Sequence, residues 1–142
     1  MSGFPAPIDV LPHRPPFLFV DRVSSLETGV RAVGHWKLNG DEWFFSGHFP
    51  GRPTLPGVLI CEAIAQVGAY AVLSDPAFAG RLPLFGGIDG ARFRRQVSPG
   101  DELDLVVELG RMSSRAGKGS GRALVNGEVA CELDLLFVLV DA

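Results

Sequence analysis

The chain has 142 residues, a net charge of -3, 18 glycines, 11 prolines and only two cysteines. That length suits one domain spanning 1–142 with a real core, and is too short for two ordinary domains. The acidic balance gives no support to a nucleic-acid binder, and Cys61 and Cys131 lack ligand-like neighbours, so they are expected to be reduced core thiols rather than zinc ligands or a disulfide.

The first residues, MSGFPAPIDVLPHRPPF, lack the basic start and continuous apolar core of a signal peptide. No apolar run is a clean membrane span of roughly 20 residues, so a soluble, cytoplasmic protein is expected. Residues 8–14 are read as a short helical turn. Residues 16–23, PFLFVDRV, are read as a strand entered through prolines, and 29–38, GVRAVGHWKL, as a second strand. A Gly/Pro-rich loop follows. Residues 57–73, GVLICEAIAQVGAYAVL, contain no proline, are rich in Ala, Leu and Ile, and are too long for a typical strand. They are predicted to form a helix, apolar nearly all round and therefore buried.

Residues 74–83 read as a connecting loop and everything beyond as β-structure. In 84–97, Ile88 is separated by Gly90 from the alternating Arg92, Phe93 and Arg94. A turn at 98–101 precedes a strand with Leu103, Leu105, Val107 and Leu109 on one face. The basic, Gly/Ser-rich segment 111–122 leads to Asn126-Gly127, which between apolar runs predicts a type I′ hairpin. The predicted class is α+β, with an antiparallel sheet curled around one helix. A small sheet is expected to leave part of so apolar a helix uncovered, which predicts a dimer.

The loop and the helix carry the chemistry. His48 sits among Pro50, Pro53 and Pro56, which restrict the backbone around a side chain suited to act as a base. The plain alternative is a loop histidine satisfied by a backbone carbonyl. Pro56-Gly57 opens the helix, so the N–H groups of Gly57, Val58 and Leu59 are expected to point out of its N-terminus and bind a carbonyl oxygen that becomes negative. Glu62 lies in the second turn, and Gln66 is one turn further on the same face, within reach of its carboxyl group. Burial is expected to raise the pKa of Glu62 and make it a general acid; the alternative is a salt-bridged carboxylate at a dimer interface. Base, oxyanion site and acid together suit removal of a proton next to a carbonyl and loss of a neighbouring hydroxyl as water, with no metal or redox cofactor.

GHFPGRPTLPGVLICEAIAQ resembles the active-site signature of the Z-type 3-hydroxyacyl-acyl carrier protein dehydratases of bacterial fatty-acid synthesis. The likeness extends to LPHRPPFLFVDRV, FGGIDGARFRRQVSPGDEL and ALVNGEVACE, in the family's order. It implies the hot-dog fold, a curved antiparallel sheet wrapped around one long central helix. It further implies dehydration of (3R)-3-hydroxyacyl-acyl carrier protein to the trans-2-enoyl thioester by His48 and Glu62. In the family these two meet across a homodimer, which often assembles into trimers of dimers, a homohexamer. The resemblance also places the Gly57 N–H on the thioester carbonyl and makes Phe49, with its neighbours Pro50 and Pro56, part of an acyl tunnel.

This chain has Glu62 where the dehydratase/isomerase branch typically has Asp. It has Asp41-Glu42-Trp43 where Asn-Glu is usual, and no tyrosine beside Leu84 to gate the tunnel. Arg92, Arg94, Arg95, Arg111, Arg115 and Lys118 are expected to form a basic surface that docks the acidic carrier protein, or else a solvated face. His13 and Arg14 are read as a structural cluster with Asp21, His35 as an exposed strand residue, and Asp89 as the cap of a bend or bulge. Competing functions are a hot-dog acyl thioesterase, a dehydratase of a specialised, polyketide-like pathway, and an inactive acyl-binding subunit.

Overall fold

A computed structural model describes residues 3–142; residues 1 and 2 of the expected 1–142 domain lie outside it. In chain order the elements are α1 (Pro7–Val10), β1 (Arg22–Glu27), β2 (Arg31–Lys37), α2 (Gly57–Leu73), β3 (Leu82–Phe93), β4 (Glu102–Met112), β5 (Ala116–Val125) and β6 (Glu128–Val140). The strands form one sheet in the order β1-β2-β4-β5-β6-β3, with every neighbouring pair antiparallel. One helix against this sheet is the expected α+β, hot-dog arrangement.

Helix α2 spans the residues predicted for it, because nothing between Gly57 and Leu73 breaks the helix and almost every side chain gains by burial. The sheet reaches it most closely at glycines. A Cβ on Gly121 of β5 would stand 2.3 Å from the Ile64 methyl group, and one on Gly34 of β2 would stand 2.7 Å from Val67. Most of the basic, Gly/Ser-rich segment 111–122 is therefore strand β5. Its glycines let the backbone approach the helix, and Lys118, Ser120 and Arg122 face outward between buried Gly117, Gly121 and Ala123.

The far side of the helix is covered by the N-terminal segment. Tyr70 donates its hydroxyl to the Pro5 carbonyl at 2.6 Å, and Gln66 bonds the backbone of Phe17 and Phe19. The predicted strand therefore does not begin at residue 16: the Phe17 carbonyl and the Phe19 N–H turn to Gln66 on the helix, the first bond to β2 is from the Asp21 N–H to the His35 carbonyl at 2.8 Å, and β1 starts at Arg22. Every residue from Leu59 to Leu73 except Glu62 is thus buried within one protomer. The expectation of an incompletely covered helix is not met along its body. Uncovered apolar surface lies instead at Val58, which is 73 % exposed, and along the edge strand β3 at Leu84, Phe85, Ile88 and Phe93.

The β5–β6 turn has φ of 51° at Asn126 and 81° at Gly127, as a type I′ hairpin requires. Pairing of β3 with β6 slips just after Asp89, where Gly90 has φ of 61°, so the expected bulge is present. His35 is not an exposed strand residue. Its Nδ1 donates to Asp104 Oδ1 at 2.9 Å and its Nε2 meets the Ser24 hydroxyl at 2.6 Å, because β2 lies between β1 and β4 and both neighbours supply a polar partner.

Candidate active site

The loop between Ser46 and Pro56 is laced to itself. The Thr54 N–H donates to the His48 carbonyl and the Arg52 N–H to the Phe49 carbonyl, each at 2.8 Å, and the Leu55 N–H ties the loop to the Val97 carbonyl at 2.8 Å. The His48–Phe49 peptide is cis, and the two rings stack with centroids 4.1 Å apart. His48 Nδ1 lies 2.8 Å from the Thr54 carbonyl oxygen. A carbonyl only accepts, so Nδ1 carries a proton, and in the neutral ring the lone pair is on Nε2. The backbone-satisfied loop histidine is therefore what the fold shows, and its second nitrogen, Nε2, is left open toward other partners. His48 borders a cleft of about 830 Å³ with Phe49, Gly57, Val58, Phe93 and Arg94.

Helix α2 begins at that cleft. The N–H groups of Gly57 and Val58 find no acceptor within the described residues, whereas the Leu59 N–H donates to the Pro56 carbonyl at 3.0 Å. The expected three-donor site thus has two donors, because the first helical turn tightens onto Pro56 and consumes the third. A Cβ on Gly57 would stand 2.7 Å from the Phe93 ring, so this glycine makes room for an aromatic wall of the same cleft.

Glu62 is largely buried, and Gln66 Nε2 donates to its Oε2 at 2.9 Å, as the one-turn spacing predicts. Burial pushes the Glu62 carboxyl above the ordinary range, and the Gln66 amide pulls partly against it. No Lys or Arg forms an ion pair with it among the described residues; its charged-type neighbour is His13, with Nε2 3.6 Å from Oε2. The predicted cluster of His13, Arg14 and Asp21 does not form. Arg14 donates to the carbonyls of Leu11 and His13, and Asp21 accepts the Lys37 backbone N–H, because the chain between them passes over the helix. His13 is the site residue whose place the sequence reading missed. The signal available was its setting among Pro12, Pro15 and Pro16, the same kind of proline-bound loop that marks His48.

His48 and Glu62 open into different cavities of one protomer. The Glu62 cavity, about 240 Å³, is lined by His13, Phe17, Ala65, Ala69, Leu84, Phe85 and Phe137, and shares no residue with the His48 cleft. Leu84 is thus at the Glu62 cavity, where the expected tyrosine is lacking. The unusual Glu42 serves locally, its carboxylate receiving the N–H groups of Asn39 and Gly40.

The six basic residues do not form one surface. Arg94 and Arg95 line the His48 cleft together with Arg52, which sequence reasoning did not select, whereas Arg111 and Lys118 line a separate groove. Arg92 sits opposite Glu132 in the β3–β6 ladder, while Lys118 pairs with Leu136, further along β6. Much of the first group is neutralised: Arg94 pairs with Glu132, and Arg95 lies 3.8 Å from both Asp101 and Glu128.

One buried helix wrapped by a six-stranded antiparallel sheet, with a histidine loop at its N-terminus, defines a hot-dog-fold protein. The same fold is found in a solved structure described as the dehydratase heterocomplex ApeI:P from Xenorhabdus doucetiae. It matches with a TM-score of 0.83 and 19 % identity, covering 97 % of this chain and 93 % of that chain. The family model for the FabA-like domain matches residues 11–134, and the chain belongs to that family. It is 61 % identical to the 3-hydroxyacyl-acyl-carrier-protein dehydratase FabZ of Moorella thermoacetica, over 92 % of this chain and 91 % of the relative. The protein of that name from Chloroflexus aggregans is 58 % identical, over 93 % of this chain and 92 % of the relative.

Proposed function

We propose that this protein is a hydro-lyase of fatty-acid biosynthesis that converts (3R)-3-hydroxyacyl-acyl carrier protein into the trans-2-enoyl thioester. The observation that carries the residue assignment is the complementary poise of two groups: His48 keeps a free lone pair on Nε2, and burial favours the protonated form of Glu62. His48 Nε2 removes the α-proton, and the C–H electrons form the new double bond. The N–H groups of Gly57 and Val58 hold the thioester oxygen as charge develops there. The C–O bond breaks at the β-carbon, and the hydroxyl leaves with the proton of Glu62 as water. Return of the proton from His48 to Glu62 resets the site.

A second copy of the chain supplies the missing half of each site. This reading is supported by the separate cavities of His48 and Glu62 and by the apolar edge strand β3, whose outer side has no neighbouring strand among the described residues. Phe49, Pro50 and Pro56 shape the passage on the His48 side, and Phe17, Leu84 and Phe85 that on the Glu62 side. We assign the protein to the cytoplasm, where the buried, free Cys61 and Cys131 stay reduced; among the described residues no helix is long and apolar enough to cross a membrane. A thioesterase that works through its helix carboxylate alone has no use for the locked His48.

The test is turnover of a series of 3-hydroxyacyl carrier proteins with product identification, in the wild type and in His48→Ala and Glu62→Gln. Loss of about 10² to 10⁴ in kcat is expected in each variant. Full activity in either one overturns that residue's assignment.

A further inference from the structure

Glu62 has a neighbour that the reaction above leaves without a task. Gln66 must accept the Phe19 backbone N–H through Oε1, at 2.8 Å, which fixes the orientation of its amide. Its two N–H groups are then directed to the Phe17 carbonyl at 3.1 Å and to Glu62 Oε2 at 2.9 Å. Oε2 is thereby an accepting oxygen, since a proton placed on it would face the hydrogen of Gln66. His13 Nε2 approaches this same oxygen, at 3.6 Å. That separation becomes a hydrogen bond with a shift of about half an ångström.

The rest of the His13 ring leaves few choices. Its Nδ1 is buried and has no hydrogen-bond partner among the described residues. A neutral ring has one proton to place: on Nε2 it is aimed at a carboxyl oxygen, and on Nδ1 at nothing. Burial and the charge of Arg14 both push the ring's pKa below that of an ordinary histidine, which favours the neutral form. Arg14 pins the loop by donating to the carbonyls of Leu11 and His13, at 2.8 and 2.7 Å. The other walls of this cavity are apolar, from Ala65 and Ala69 of α2, Pro83, Leu84 and Phe85 of β3, and Phe137 of β6, so among the described residues His13 and Glu62 are its only ionisable lining.

We infer that His13 is a positioning residue for the acid: with the Gln66 amide, its Nε2–H holds Glu62 Oε2 as acceptor, so that the transferable proton sits on Oε1 and faces the substrate. This rests on the reading of Glu62 as the general acid. The donor on Oε2 also favours the carboxylate over the acid, and its removal raises the Glu62 pKa further.

The experiment compares His13→Phe, which keeps a ring without a donor, with His13→Gln, whose amide replaces Nε2–H at similar reach. In His13→Phe, kcat for a 3-hydroxyacyl carrier protein falls about ten- to a hundredfold. KM changes less than about twofold, and the alkaline limb of the pH–kcat profile moves to higher pH. His13→Gln recovers most of the rate. A wild-type rate and profile in His13→Phe overturn the inference, as does a KM change with no kcat change. Should both variants fail to fold, nitrogen NMR of the His13 ring in the wild-type protein decides: an Nε2–H tautomer supports the inference and an Nδ1–H tautomer overturns it. Glu62→Gln run alongside separates the two levels. If it stays active, the acid assignment itself fails; if it is inactive while His13→Phe is unaltered, only the role of His13 falls.

Discussion

Gln66 is the link between the N-terminal segment and Glu62: its amide nitrogen donates to Glu62 Oε2 at 2.9 Å while its carbonyl oxygen receives the Phe19 N–H at 2.8 Å. The side chain is 0 % exposed, so none of these bonds is replaced by water when it is lost. Gln66→Leu keeps similar bulk and strands the Phe19 N–H and the Phe17 carbonyl. A loss of about 1 to 3 kcal/mol is expected, chiefly from the unpaired buried Phe19 N–H, read as a lower midpoint in urea unfolding.

Glu62 couples stability to pH. Its folded pKa is raised by burial, so below the ordinary glutamate range both states hold the proton and the site costs nothing. As pH rises from the ordinary value to the raised one, the unfolded chain releases its proton first, and stability falls. Glu62→Gln removes this term. Urea unfolding across that window should show a flatter pH dependence in the variant, and an identical slope in both proteins would contradict the burial argument.

The activity should titrate with Glu62. On the proposed mechanism Glu62 acts while protonated, so kcat falls along an alkaline limb as this carboxyl, raised by burial, ionises. Raising the Glu62 pKa by deleting the Gln66 donor moves that limb upward. Gln66→Leu in its folded state checks this, provided the profile is measured below its unfolding temperature.

Mixed dimers test the assembly of the site. With His48→Ala in one copy and Glu62→Gln in the other, a composite arrangement leaves one site with both residues intact and one with neither. About half the wild-type rate is expected per heterodimer, and so about a quarter per dimer in a statistical mixture of two inactive parents. No recovery, with heterodimer formation verified by mass, would place both groups in the same protomer.

The split of the basic residues makes a directional prediction. Arg52 and Arg94 line the His48 cleft, while Arg111 and Lys118 line another groove. Arg52→Glu should raise KM for carrier-bound substrate by about tenfold and hardly change KM for a short pantetheine substrate, because only the carrier presents acidic surface. Arg115→Glu, at the far end of the sheet, should leave both unchanged.

Helix α2 and the Asn126-Gly127 hairpin were legible because each is set by local rules: a long unbroken apolar run in one case, a pair of residues tolerant of positive φ in the other. The constrained loop of His48 and the Glu62–Gln66 hydrogen bond were legible for a related reason. A proline-bound histidine and a one-turn Glu–Gln spacing on a buried helix are contiguous features that need no knowledge of the rest of the chain.

Residues 16–21 read as a strand on composition, yet the backbone of Phe17 and Phe19 is drawn to Gln66, a side chain 47 positions from Phe19. His13 was assigned to Arg14 and Asp21 by nearness in sequence, but lies against Glu62 because the N-terminal segment crosses the helix there. The sequence by itself determined which side chains are suited to give and take protons. Tertiary structure decided which of them share a cavity, since that depends on contacts between distant segments whose free energies no local periodicity records.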